Sequence, residues 1–280
     1  MSTIIIIDST ADMSDEMRAK FTAVPLTIRF GDEEYIDGVT ITNHQFYEKL
    51  VESDVVPTTS QPTPAAFAAV YKEAVDAGDD VVVVTISSKL SGTYQSASIA
   101  AMDFDNVYVV DSMNAAIGTG VLAQYALRLA EQGMEAQAIA QELEASKDRI
   151  CLIAMVDTLE YLKRGGRVSK TVAFAGELLS IKPVIGIKDG EVVVLGKARG
   201  SRQANNLLVK QIQEVGGIDF DMPVVLGYTG LSDALLQKYI VDSAELWKES
   251  KTPLETASIC SAIGTHAGPG AIAAAFFRKA

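Results

Sequence analysis

Cysteine is nearly missing from this sequence: only Cys151 and Cys260 occur in 280 residues. Two isolated cysteines, each inside an apolar stretch of strand character, support neither a disulfide framework nor a zinc site, and they read as buried reduced thiols. Long hydrophobic runs are missing too. The early run Ile4–Ile7 ends at Asp8 and is too short for the apolar region of a secretion signal, while Ala271–Phe277 runs into Arg278 and Lys279. Nothing approaches the roughly 20 apolar residues of a spanning helix, so stable membrane insertion is not expected and the cytoplasm is the expected location. Positive charge is scarce: 24 Lys and Arg face 36 Asp and Glu, for a net charge of −12. A surface that acidic repels phosphate backbones and anionic headgroups, which argues against nucleic acid as a partner. No fixed-period repeat, low-complexity tract or Pro/Gly/Ser-rich linker interrupts the chain.

What is present is ample core material, 48% hydrophobic residues, arranged in alternation. Continuous β-branched runs predict buried strands over Ile4–Ile7, Val81–Ile86, Val107–Val110, Ile150–Val156, Val224–Leu226 and Thr256–Ile259. Helical spacing occupies Pro64–Ala77, Ser91–Met102, Ala115–Glu131, Glu135–Ser146, Arg202–Val215, Ser232–Trp247 and Pro269–Phe277. Two segments read as hairpins: Val24–Phe30 with Glu33–Asp37, and Ile181–Ile187 with Glu191–Leu195. The order predicts an α/β protein of two lobes. Residues 1–150 would carry a Rossmann-like, mainly parallel sheet, and residues 151–280 an α/β lobe with a mixed sheet.

In such sheets ligands bind beyond the carboxyl ends of the strands, so the loops that follow strands hold the candidate chemistry. Asp8-Ser9-Thr10-Ala11-Asp12 follows the first strand. A phosphoaspartate hydrolase would place its second acid where Thr10 stands, so that chemistry is excluded; Asp12 or Ser14 suits helix capping or the cleft. Val56–Pro64 holds three prolines that stiffen the loop, with Thr63 and Pro64 set to start a helix and Thr58, Thr59 and Ser60 left as preorganised hydroxyls. Ser87–Ser96 opens a helix, and Ser91 and Gly92 sit where unpaired backbone N–H groups favour an oxyanion. The spacing is not that of a phosphate-binding loop of the Gly-Lys type. Gly264-Thr265-His266-Ala267-Gly268-Pro269-Gly270 carries one of only two histidines, between glycines that let it reach a cleft. Two acid-free basic clusters, Lys163–Lys170 and Lys197–Arg202, stand out against the negative charge. Positive charge there suits a carboxylate, a phosphoryl group in transfer or an acidic partner.

Taken together, five segments resemble the DegV family, the fatty-acid-binding subunits of bacterial fatty acid kinase. They are Ile5–Asp12, Thr58–Pro62, Leu90–Ala97, Thr158–Arg167 with the later Lys182-Pro183, and Gly264–Gly270, in the family's order over essentially the whole chain. The resemblance implies a long-chain fatty acid (C14–C18) in a buried tunnel at the interface of the lobes. It implies Thr59 and Ser91 on the carboxylate, His266 beside them, and Arg167 near the head group. Ser60 and Gly92 join that ligand-binding set from the loop reading. Arg199, and with it Arg202, is expected to engage the kinase catalytic subunit as partner. No cofactor, metal or catalytic residue is expected of the chain itself, since the partner brings the nucleotide. The alternative is a serine hydrolase built on Ser91 and His266, which lacks the Gly-x-Ser-x-Gly elbow and a third residue to orient the histidine. A sugar or dihydroxyacetone kinase subunit is a further alternative.

Overall fold

The structure, a computed structural model, describes residues 2–168 and 181–279. Strand β1 (Thr3–Asp8) leads through a short helix, α1 (Asp15–Arg18), to β2 (Thr22–Val24), the hairpin β3 (Thr27–Phe30) and β4 (Glu33–Ile36), and helix α2 (Asn43–Glu52). After β5 (Thr58–Ser60) come α3 (Pro64–Asp76), β6 (Asp80–Thr85), α4 (Thr93–Ala101), β7 (Val107–Asp111), α5 (Ile117–Glu131) and α6 (Ala136–Ser146). The rest of the chain is β8 (Ile150–Met155), α7 (Glu160–Arg164), the hairpin β9 (Ile181–Lys188) and β10 (Glu191–Arg199), α8 (Gly200–Glu214), β11 (Val224–Tyr228), α9 (Ala234–Asp242), α10 (Ala244–Trp247), β12 (Glu255–Ser258), α11 (Ser261–Ala267) and β13 (Ile272–Phe277).

The described residues form three sheets. The first is parallel throughout, in the order β2-β1-β6-β7. Its central strands are the Ile and Val runs of the sequence, and Ile6, Ile7 and Val81 to Val84 are fully buried because helices cover both faces. The second is mixed, in the order β10-β9-β8-β13-β11-β12, with β11 and β12 its parallel pair. The third is small and antiparallel, β4-β3-β5. The α/β architecture with a parallel and a mixed sheet is thus the one the sequence predicts.

Helix α5 joins the two large sheets. It packs on β1 and β6 of one and on β8, β11 and β13 of the other. One apolar cluster accordingly runs from Ile5 and Val82 through Val121 and Leu122 to Leu152 and Ala275. At Gly120 a Cβ atom would lie 2.0 Å from the Asp12 carbonyl oxygen, so only glycine lets α5 come this close to the loop after β1.

Three sequence expectations need correction. Pro269–Phe277 is not helical: Ile272–Phe277 is the strand between β8 and β11, antiparallel to both. Its alanines favour a helix intrinsically, yet two open strand edges and tight layers on each face reward small extended residues more. Val24–Phe30 is not one strand, because Pro25 has no N–H to give and the chain leaves the first sheet after Val24 to join the third at Thr27. His266 stands on helix α11 and not in a glycine loop.

Candidate functional site

Thr59 enters the site because β5 is a strand. Side chains alternate along it, so Thr58 and Ser60 are exposed while Thr59 turns inward, on the register position opposite Ile28 of β3. Its Oγ1 lies 2.9 Å from Nε2 of His266.

His266 is delivered by α11, and α11 is held by buried acids. Asp12 Oδ1 accepts from Cys260 N–H (2.9 Å) and Asp37 Oδ1 from Ser261 N–H (3.2 Å), the first free donors of that helix. The second Asp37 oxygen accepts from Ser9 Oγ (2.8 Å), and Tyr47 OH donates to the Ile259 carbonyl (3.1 Å). Asp12 therefore caps a helix some 250 residues away, and the short α1 takes Ser14 as its cap. Burial raises the Asp12 carboxyl to about 8, against the N–H it accepts and nearby Arg18. Burial also raises Asp8 and Asp37. Asp8 accepts from Thr10 and from the Ile86 N–H, which ties the loop after β1 to the end of β6.

Ser91 precedes α4, and its Oγ pairs with Thr93 Oγ1 at 2.8 Å. Gly92 forms the start of that helix with its Cα against the Gln61 side-chain amide; any side chain there would strike it. Arg167 donates through Nε to the Leu90 carbonyl (3.1 Å) and through Nη1 to the Gly165 carbonyl (2.5 Å). The arginine thus binds the loop after α7 to the residue just before Ser91. Burial, and next the Arg167 charge, depress His266 to about 4. The imidazole is therefore neutral at neutral pH, and its Nδ1 is buried with no hydrogen-bond partner among the described residues.

Thr59, Ser91, Arg167 and His266 all line one cavity of about 920 Å³ of atom-free space, part of it open to solvent. The rest of its wall is almost wholly apolar: Leu26 and Ile86 from the first half of the sequence, Leu152, Ile185, Val192 and Ile259 from the second. Thr10 and Tyr228 also border it. The cavity walls come from strands of the mixed sheet and from loops that follow strands of the parallel sheet, and the β9–β10 hairpin that supplies Ile185, Ile187 and Val192 is fastened at its tip by a bond from Ser87 Oγ to the Gly190 carbonyl (2.8 Å). Ser60 and Gly92 are not among the lining residues. Arg199 and Arg202 are exposed at the end of β10 and the start of α8, away from the cavity. Of the basic stretch Lys163–Lys170, Ser169 and Lys170 lie outside the described residues.

This arrangement offers hydroxyls, a neutral imidazole and one guanidinium in an apolar chamber, which suits a monoanion with a greasy tail. It does not form a hydrolytic triad: the histidine pairs with Thr59, the Ser91 hydroxyl pairs with Thr93, and no group among the described residues orients Nδ1. The family model described as "Uncharacterised protein, DegV family" matches residues 2–279. The chain belongs to the DegV family. A DegV domain-containing protein of Caldanaerobacter subterraneus is 35% identical, over 98% of each chain. Among solved structures, the chain is similar to a fatty-acid-binding DegV family protein from Thermus thermophilus, at 34% identity and TM-score 0.87, over 99% of this chain and 100% of that one. It is also similar to a stearic acid-binding protein from Eubacterium ventriosum, at 29% identity and TM-score 0.87, over 98% of each. Residues that sequence reasoning passed over in this DegV chain are Asp37, which carried no signal beyond an Asp-Gly turn after a hairpin, and the half-buried Tyr228.

Proposed function

We propose that this DegV protein binds a long-chain fatty acid, C14–C18, and presents its carboxylate to a partner ATP-dependent fatty acid kinase, afterwards carrying the acyl phosphate. The observation that carries the proposal is the Thr59–His266 pair, with Ser91 and Arg167, in one largely apolar cavity. Two solved structures of the same shape are a fatty-acid-binding DegV family protein and a stearic acid-binding protein, which supports the ligand class. Burying a 16-carbon tail supplies roughly 12 kcal/mol before association costs, so the tail provides affinity and the polar cluster fixes orientation. Neutral donors hold a carboxylate without quenching it as a nucleophile, which favours its later attack on a phosphoryl group.

In this account residues 1–150 and 151–280 form two lobes with the acyl tunnel between them. Ser60 and Gly92 support the carboxylate end through their backbones, and Arg199 and Arg202 meet the acidic face of the kinase. The sequence has no phosphate-binding loop of its own, in keeping with a cytoplasmic carrier whose partner supplies ATP. The test is reconstitution. Palmitate-loaded protein, the kinase catalytic subunit and ATP should give acyl phosphate, while the catalytic subunit with free palmitate should give almost none. Changing Arg199 and Arg202 to Glu should leave palmitate binding intact and cut phosphorylation about tenfold or more. Equal phosphorylation of free and protein-bound palmitate refutes the carrier role.

A further inference from the structure

Helices α7 and α11 meet along a seam that is closed by glycine from each side. Gly165 ends α7 with its N–H on the Tyr161 carbonyl (3.0 Å), and a Cβ atom built there would fall 2.1 Å from Nδ1 of His266 and 2.7 Å from its Cε1. Reciprocally, Gly268 ends α11 at a φ of +70°, and a Cβ there would fall 2.3 Å from Cδ2 of Tyr161 on α7. Each helix thus lays a ring of the other against its terminal glycine. Separations this short are impossible for any residue with a side chain, so a ring or a helix would have to give way. Gly165 also accepts the Arg167 guanidinium on its carbonyl oxygen. The one residue therefore touches both titratable members of the polar cluster, the arginine through its carbonyl and the histidine through its missing Cβ.

We infer that Gly165 is a positioning residue of the fatty-acid site, the notch that seats the His266 ring against Thr59 and keeps it away from water. The inference rests on the fatty-acid function proposed above for its binding consequence, and on geometry alone for the histidine. Gly165 has a φ of −72°, which any L-residue adopts, so alanine there leaves the α7 backbone unstrained. What moves is the imidazole, held on its other side by its hydrogen bond to Thr59. Adjacent Gly166 is the natural control. Its φ is +71°, so alanine there strains the backbone, yet a Cβ would meet nothing within 4 Å.

The experiment follows the His266 ring protons by NMR through a pH titration of the full chain in wild type, Gly165→Ala and Gly166→Ala, beside melting temperature and palmitate affinity. Gly165→Ala should move the His266 midpoint from about 4 toward the ordinary value of about 6.5, weaken palmitate binding about tenfold, and change the melting temperature little. Gly166→Ala should show the opposite pattern, a lower melting temperature with an unmoved His266 midpoint. A Gly165→Ala protein whose His266 titrates as in wild type overturns the inference. A shifted Gly165→Ala midpoint beside a wild type that takes up no palmitate leaves the notch standing and removes the fatty-acid function, so the two fail separately.

Discussion

His266 is half-buried and neutral, with a buried Nδ1 that has no partner among the described residues, and this leaves a thermodynamic trace. Its value of about 4 in the folded protein lies below the ordinary 6.5, through burial and then through Arg167. Between those two pH values the unfolded chain binds more protons than the folded one. The stability contributed by keeping the ring neutral is therefore fully present above about pH 6.5 and is lost as pH falls toward 4, by at most about 3 kcal/mol. The carboxyls of Asp8, Asp12 and Asp37 are shifted the other way and stabilise the folded state relative to the unfolded as pH falls. Comparing wild type with His266→Gln cancels those terms. In urea denaturation between pH 7.5 and 4.5, wild type should lose about 2 to 3 kcal/mol more than the variant. Parallel stability curves for the two proteins would show that the ring is not kept neutral by the fold.

Among the elements, α11 matters most, because it carries His266 on seven residues that are too few to be stable alone. Its start is fixed by Asp12 and Asp37, so Asp37→Ala leaves the Ser261 N–H and the Ser9 hydroxyl without their acceptor. We expect a loss of roughly 2 to 4 kcal/mol in denaturant unfolding, together with weaker palmitate binding. A change within about 0.5 kcal/mol would mean that the clamp is dispensable. The same element shows where sequence legibility stops. Ile4–Ile7 and Val81–Ile86 announce themselves as buried strands, and Thr63-Pro64 announces a helix start that the Ala66 N–H to Thr63 Oγ1 bond realises. The glycines around His266 pointed to a loop, because the acids that cap α11 lie more than 200 residues away and no local pattern encodes them. β13 misled for the same reason: its alanine content speaks for a helix, and only its two strand neighbours decide otherwise. Within the site, Thr59, Ser91, Arg167 and His266 were legible as residue types after strands or in glycine-rich and basic stretches. Their convergence on one cavity, and the outward turn of Ser60, are properties of strand phase and packing.

At the scale of the whole molecule, two sheets share one apolar core through α5, and the cavity opens where their strands and loops face each other. The cavity wall is largely apolar, with Arg167 its one guanidinium among the described residues, so an apolar tail would supply most of a ligand's binding free energy there. Among the described residues no helix is long and apolar enough to cross a membrane. If the cavity holds a fatty acid by its tail and reads it by its carboxylate, the purified protein should carry one. Extraction into organic solvent followed by mass spectrometry should yield a C14–C18 acid near one per chain, with occupancy falling in Thr59→Ala and Ser91→Ala. A lipid-free extract from a protein that also takes up neither added palmitate nor oleate would contradict it.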